Sequence, residues 1–205
     1  MRKTAGLLVC CVAVGVLDTA AQTEKGSWEI SAAANMGSMS SSYESSGAGY
    51  SSSGSSDAIM YFALDLRTGW YLVDGFSLEP EVYMLAVDED APAFSLGANL
   101  AYTFTIRDSP VKPFLIAGYG IGNAAPIMQR LLGRASDKLD IPVFRVGGGL
   151  KVFVSKSVAL KVEYRYEQYT RESTSNYYYN SYTSTVTTNY HNVLFGFCVF
   201  FPAGG

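Results

Sequence analysis

Residues 143–169, VFRVGGGLKVFVSKSVALKVEYRYEQY, decide the fold. They divide into two runs around a tight turn at Ser155-Lys156-Ser157. In the second run Val158, Leu160, Val162, Tyr164 and Tyr166 share one face, and Ala159, Lys161, Glu163, Arg165 and Glu167 the other, because strand side chains alternate sides. The first run agrees: Phe144, Val146, Leu150, Val152 and Val154 oppose Arg145, Gly147, Gly149 and Lys151. Such a ribbon has one oily and one strongly charged side. In a half-exposed soluble sheet the charges meet water; in a closed membrane barrel they line the inside.

The rest of the chain distinguishes the two. Arg2 and Lys3 precede an apolar run from Ala5 to Leu17, and Thr19-Ala20-Ala21 supplies small residues before Gln22. That layout is a secretory signal peptide, predicted over residues 1–21 and cleaved. The run is shorter than the about 20 residues of a membrane-spanning helix. Cys10 and Cys11 fall inside it, so residues 22–205 form one mature domain whose sole cysteine is Cys198. No intrachain disulfide is then expected. Of 15 basic and 18 acidic residues, loss of Arg2, Lys3 and Asp18 leaves 13 and 17, a net charge of −4. Nothing here is basic enough for nucleic acid, and one histidine with one cysteine does not suit a conventional zinc site. No cofactor or metal is expected.

Further alternating runs follow. Trp28, Ile30, Ala32, Ala34 and Met36 alternate with Glu29, Ser31, Ala33 and Asn35; Phe62, Leu64, Leu66, Trp70 and Leu72 with Ala63, Asp65, Arg67, Gly69 and Tyr71. Asp74-Gly75 is a hairpin turn signal. Phe76, Leu78, Val82 and Met84 oppose Ser77, Glu79, Glu81 and Tyr83, with Pro80 predicting a bulge because it cannot donate to the ladder. A clean strand is expected over 94–106, and another over 113–122, where Leu115, Ala117, Tyr119 and Ile121 alternate with Phe114, Ile116, Gly118, Gly120 and Gly122 and the alternation leaves open which set faces out. The last run sets Val193, Phe195, Phe197, Val199 and Phe201 against Leu194, Gly196, Cys198 and Phe200. Between the runs lie Ser38–Asp57 and Thr170–Asn189, rich in Ser, Tyr, Thr, Asn or Gly and read as polar flexible loops. Acidic Asp88-Glu89-Asp90 marks a further loop, and a longer one spans Asn123–Asp140, with a helical turn near 127–132.

About eight strands result, with short connections alternating with longer ones, as in transmembrane barrels with short periplasmic turns and long external loops. The predicted fold is an all-β, eight-stranded antiparallel transmembrane up-and-down β-barrel. Asp65, Arg67, Glu79, Glu81, Arg145, Lys151, Lys161, Glu163 and Arg165 then form a neutralising interior network. Glycines 69, 97, 118, 120, 147, 149 and 196 leave room for these long side chains. Trp28, Trp70, Tyr102, Tyr164, Tyr166 and Tyr169 suit the aromatic girdles at the two interfaces.

The phrases GGGLKVFVSKSVALKVEYRY, LRTGWYLVDGFSLEPEV and KPFLIAGYGIG resemble those of the OmpA/OmpX-like family of small outer-membrane barrels. The terminal strand ending in an aromatic resembles that family's assembly signal, although Pro202-Ala203-Gly204-Gly205 extends past it. The resemblance implies the outer membrane of a Gram-negative-type bacterium, with outer-membrane lipids and the barrel-assembly machinery as partners. It implies a monomer and no single activity; without an added domain, the peptidoglycan tethering of larger relatives is not expected. The leading expectation is a structural and surface-interaction barrel, serving adhesion or envelope integrity. Its contacts with a surface ligand or host protein are expected from Tyr43, Tyr50, Tyr177, Tyr178, Tyr179 and Tyr182. A small ion or water channel is the alternative. A lipid A-modifying enzyme is weaker: the sole histidine, His191, is read as a polar residue opening the last strand, and the serine that a deacylase-like site places two residues on is here Val193. No catalytic residue is assigned. A soluble lipocalin-like carrier would turn the same strands inside out.

Overall fold

The computed structural model describes residues 23–47, 50–55, 59–86, 92–123, 141–177 and 180–203. The leader expected over residues 1–21, the acidic 88–90 segment and the helical turn expected near 127–132 lie outside these. Every regular element among the described residues is a strand: β1 Trp28–Gly47, β2 Tyr50–Ser55, β3 Ile59–Val73, β4 Phe76–Ala86, β5 Ala93–Thr103, β6 Val111–Gly122, β7 Ile141–Phe153, β8 Val158–Tyr177 and β9 Asn180–Phe201. They form one sheet in the order β2-β1-β3-β4-β5-β6-β7-β8-β9, and β1 also pairs β9. That last pairing, from Trp28↔Phe201 to Ser46↔Thr183, closes the sheet. All neighbours are antiparallel. Eight strands make the barrel wall, as expected. The short β2 pairs only with upper β1, Ser42↔Ser55 to Gly47↔Tyr50.

Period-two alternation sets the wall. Ile30, Phe62, Leu66, Leu100, Leu115, Leu160 and Phe195 are all exposed, while Asp65, Arg67, Arg145, Lys151, Lys161, Glu163 and Arg165 are all buried. In β6, whose facing the alternation leaves open, Leu115, Ala117, Tyr119 and Ile121 are the outward set. This is a soluble protein inverted: the apolar surface is the outer one, and only a lipid solvent makes that favourable. A lipocalin-like arrangement is excluded by the same pattern.

Three short connections share one end with the start of β1 and the end of β9: Asp74-Gly75, 104–110 and 154–157. At the last, Ser155 Oγ accepts from the backbone N–H of Ser157 (3.2 Å) and Val158 (3.1 Å), which holds the turn. At the first, only Gly75 takes a positive φ (76°) and the ladder shifts between Tyr71 and Val73. The bulge expected at Pro80 is therefore found beside the turn instead. Register is identical on either side of Pro80, with Arg67↔Glu81 and Trp70↔Leu78, and Pro80 itself faces Ala98 of β5. Its missing N–H interrupts only the β3 side, a local gap without an inserted residue. The strand expected to reach residue 106 stops at Thr103, after which Phe104 N–H donates back to Pro113 O at 2.8 Å.

The polar segments expected as loops are largely strand. β1 runs on to Gly47, β8 to Tyr177, and β9 starts at Asn180. Ser, Thr and Tyr are compatible with strands, and flanking hairpin arms provide the pairing that composition could not reveal.

Candidate functional site

The lumen is a stack of three layers. The central layer is ionic. Arg165 donates through Nε to Glu163 (2.7 Å), Nη2 to Asp65 (2.6 Å), and Nη1 to Glu81 (3.1 Å) and Glu167 (3.2 Å). Arg67 bridges Asp65, Glu79 and Glu163, and Arg145 reaches Glu167 (2.9 Å), Glu81 (3.3 Å) and Ser95 Oγ (2.5 Å). Lys161 Nζ lies 3.6 Å from Glu163 and 3.3 Å from Ser31 Oγ. Below it, Lys151 pairs with Glu29 at 2.5 Å, and Tyr71 donates its hydroxyl to the same carboxylate at 2.8 Å. All nine expected network residues are buried here.

Three charges that the network reading missed complete it: Glu29, Lys112 and Glu167. Glu29 and Glu167 occupy inward positions of alternating runs, the signal that would have found them; Lys112 precedes the run read over 113–122, and only the earlier start of β6 at Val111 brings it in. With them, the described lumen holds six acids (Glu29, Asp65, Glu79, Glu81, Glu163, Glu167) and six bases (Arg67, Lys112, Arg145, Lys151, Lys161, Arg165). The balance matters because an uncompensated charge in such a site carries a desolvation cost of several kcal/mol, about 3–5 when one partner is removed.

Aromatic layers close both ends of this ion stack. Toward the far end Tyr61, Tyr83, Tyr169 and Tyr190 pack with Leu85, Ile141, Val143 and Leu194. Asn192 Oδ1 accepts from Asn35 (2.7 Å) and Tyr83 (3.2 Å) and also from Tyr61, while Asn192 Nδ2 donates to Glu167 (3.2 Å). Tyr169, expected in a girdle, is thus a lumen residue, because it continues the inward set of β8. At the terminal end Tyr71, Phe153, Ala159, Cys198 and Phe200 form the second lid.

The glycines do not share one role. Space for side chains is the role of Gly97 and Gly118 and part of that of Gly120: Asn99 lies against Gly118, and the Arg145 guanidinium lies over the facing pair Gly97 and Gly120, where a Cβ on Gly120 would also meet Leu96 O. At Gly69 a Cβ would make only ordinary contacts with Glu29 and Glu79. At Gly147, Gly149 and Gly196 a Cβ would instead meet backbone of the adjacent strand, at Tyr164 O, Val162 O and Ala32 O. There the missing side chain lets strands approach closely, a role different from the expected one.

Outside, Trp28 stacks on Trp70 (5.9 Å between centroids, 12°) and Tyr102 meets Phe104 edge-on (4.8 Å), all at the terminal end. Tyr164 and Tyr166 lie toward the other boundary, beside His191. His191 is therefore neither lumenal nor at a strand start; it sits midway along β9, on the outer wall. An apolar shell, two aromatic belts and a charged, filled interior are the attributes of a lipid-embedded barrel.

The model of the outer membrane protein beta-barrel domain matches residues 7–191. The chain belongs to that family. As an outer-membrane barrel it sits in the bacterial outer membrane among its lipids; barrels of this kind have short turns on the periplasmic side and longer connections outside. The fold is shared with Neisserial surface protein A, NspA, at 17% identity and TM-score 0.54 over 85% of this chain and 99% of that one. It is also shared with OprG from Pseudomonas aeruginosa, at 15% identity and TM-score 0.55 over 88% and 98%. No curated protein sequence is significantly similar.

Of the expected contact tyrosines, Tyr43 and Tyr50 fall in the β1–β2 hairpin and Tyr177 and Tyr182 in the β8–β9 hairpin; Tyr178 and Tyr179 lie outside the described residues. The two hairpins adjoin. Upper β2, β1, β9 and β8 pair in that order, through Ser46↔Ser51, Ser46↔Thr183 and Thr174↔Thr183. Among the described residues, β8 has a partner on β7 only as far as Tyr169↔Val143. From Thr170 to Tyr177 its partner among the described residues is β9 alone, about 25 Å of strand beyond the rim.

Proposed function

We propose that this barrel is a surface-interaction protein whose working part is the external four-stranded sheet, and that its lumen is structural and passes no solute. The observation that carries this reading is the continuation of β2-β1-β9-β8 past the rim, with the β8 edge partnered on one side only among the described residues. A strand edge with free backbone donors and acceptors can take an added strand from another protein. Tyr, Ser and Asn on the hairpins supply adaptable contacts around it. The partner class is an extracellular protein, on a host or neighbouring cell, and the protein acts as a monomer.

The lumen supports the negative half. Both aromatic lids and the ion pairs fill it, and small barrels of about eight strands are just wide enough for side chains to do so. A non-enzymatic role is supported by Val193, which stands two residues after the sole histidine, where a deacylase-like site places its serine nucleophile.

The test pairs two measurements on purified barrel. Replacing residues 42–55 and 171–186 with short turns is expected to abolish binding to cells or matrix while heat-modifiable gel mobility persists. Unchanged binding by the trimmed barrel would refute the reading. Planar bilayers are expected to show no steady conductance, and a reproducible open level would restore the channel alternative.

A further inference from the structure

The outer wall of β8 and β9 carries a polar cluster that neither the lumen nor the external sheet uses. Tyr164 Oη and His191 Nδ1 are 2.9 Å apart, and the Tyr166 ring lies against the imidazole at 5.3 Å. Tyr166 donates its hydroxyl to Asn189 Oδ1 (2.8 Å), and Gln168 Nε2 donates to both that hydroxyl (3.1 Å) and Asn189 Oδ1 (3.2 Å). These residues follow one another along adjacent strands, Tyr166 facing His191 and Gln168 facing Asn189.

Their depth is fixed by the wall itself. Below them Leu160, Val162, Val193, Phe195 and Phe197 are exposed and apolar; above them the outward positions are Thr170, Thr187 and Thr185, and beyond these the exposed Glu172 and Glu44, which flank Thr185. Phe201, in the periplasmic belt, and His191 are ten residues apart on β9. At about 3.3 Å per residue and a tilt of about 40–45°, that separation spans about 25 Å, the height of an outer-membrane apolar band. His191 therefore stands at the head-group level of the outer leaflet.

The hydrogen bonds orient what remains. In the tautomer that accepts the Tyr164 hydroxyl at Nδ1, the ring proton is on Nε2, and a protonated ring carries one there as well. Asn189 Oδ1 accepts two bonds, which fixes the amide and leaves Nδ2 to donate. Two N–H donors on one exposed patch, with no carboxylate among its members, suit an oxyanion. We propose that His191 Nε2 and Asn189 Nδ2 bind a phosphate group on an outer-leaflet lipid, whose chains lie along Val162, Val193 and Phe195. Tyr164 is a positioning residue that sets the imidazole plane.

Native mass spectrometry of the full barrel in detergent tests this with bisphosphorylated lipid A, dephosphorylated lipid A and inorganic phosphate as probes. The bisphosphorylated lipid is expected to be retained about tenfold better than the dephosphorylated one, and His191→Ala or Asn189→Ala to erase that preference. Tyr164→Phe is expected to lower it while leaving heat-modifiable mobility unchanged, and Tyr119→Phe, elsewhere on the outer wall, to leave it intact. Equal retention of the two lipids by the unaltered barrel would overturn the proposal, as would a preference that survives both alanine variants. Inorganic phosphate shifting the His191 side-chain nitrogen resonance as strongly as the lipid does would overturn the assignment to a lipid.

Discussion

Arg67 on β3 reaches across the lumen to Glu163 on β8, its Nη2 lying 2.9 and 2.8 Å from the two carboxylate oxygens. The two strands are not neighbours in the sheet; β1 and β9 lie between them. This contact therefore ties opposite walls together, where ladder hydrogen bonds can tie only adjacent strands. Glu163 also holds Arg165 and Lys161, so one carboxylate serves three cations.

Removing that carboxylate leaves two guanidinium groups short of a partner in a site without water access from the wall. Glu163→Ala is expected to destabilise the barrel by about 3–5 kcal/mol, read from urea unfolding in lipid vesicles. Glu163→Gln keeps the shape but not the charge and should fall between. A loss under about 1 kcal/mol in both variants would contradict the cross-wall role.

Arg145 makes a second demand on space. A Cβ at Gly120 would lie 2.8 Å from Arg145 Nη1 and closer still to Leu96 O, which is backbone and cannot swing aside. At Gly69 the nearest atoms, Glu29 Cβ and Glu79 Cγ, would be 3.4 Å away, an ordinary contact. Gly120→Ala should cost about 1–3 kcal/mol by overpacking, whereas Gly69→Ala should be tolerated. Equal unfolding midpoints for the two would show that the lumen is looser than these distances indicate.

Cys198 packs in the periplasmic lid with Phe153, Ala159 and Phe200, and is buried. In the folded barrel it should resist a water-soluble maleimide for hours and react fully once the barrel is unfolded in urea. Rapid labelling of the folded form would mean that the lid opens to water, which the closed lumen does not allow.

The alternation of apolar and polar residues was legible wherever one face met lipid. In β7 and β8 every side chain from Phe144 to Val146 and from Val158 to Glu167 faces as its parity requires. Past the apolar runs, Ser38–Gly47 and Thr170–Tyr177 carry mainly Ser, Thr, Tyr, Glu and Asn at both parities, so no apolar stripe marks them and they read as loops. Tyr169 failed for a related reason: amphipathic by chemistry, it suits a girdle, but its register with Val143 turns it inward. Pro80 marked a real interruption, yet a missing N–H needs no inserted residue when β5 still pairs on the other side. The ion network was visible residue by residue, but its pairing was not, since Arg67 and Glu163 meet only when the sheet closes.

Which face meets lipid is tested most directly by tryptophan quenching in brominated vesicles. Trp28 and Trp70 would be replaced by Phe, and a single Trp placed at Phe195 or Leu100, both on the outer wall. Chain-brominated lipid should quench each strongly while aqueous acrylamide has little effect. Acrylamide quenching without quenching by brominated chains, at both positions, would show that the oily face is turned away from the bilayer and would contradict the orientation on which the charged lumen depends.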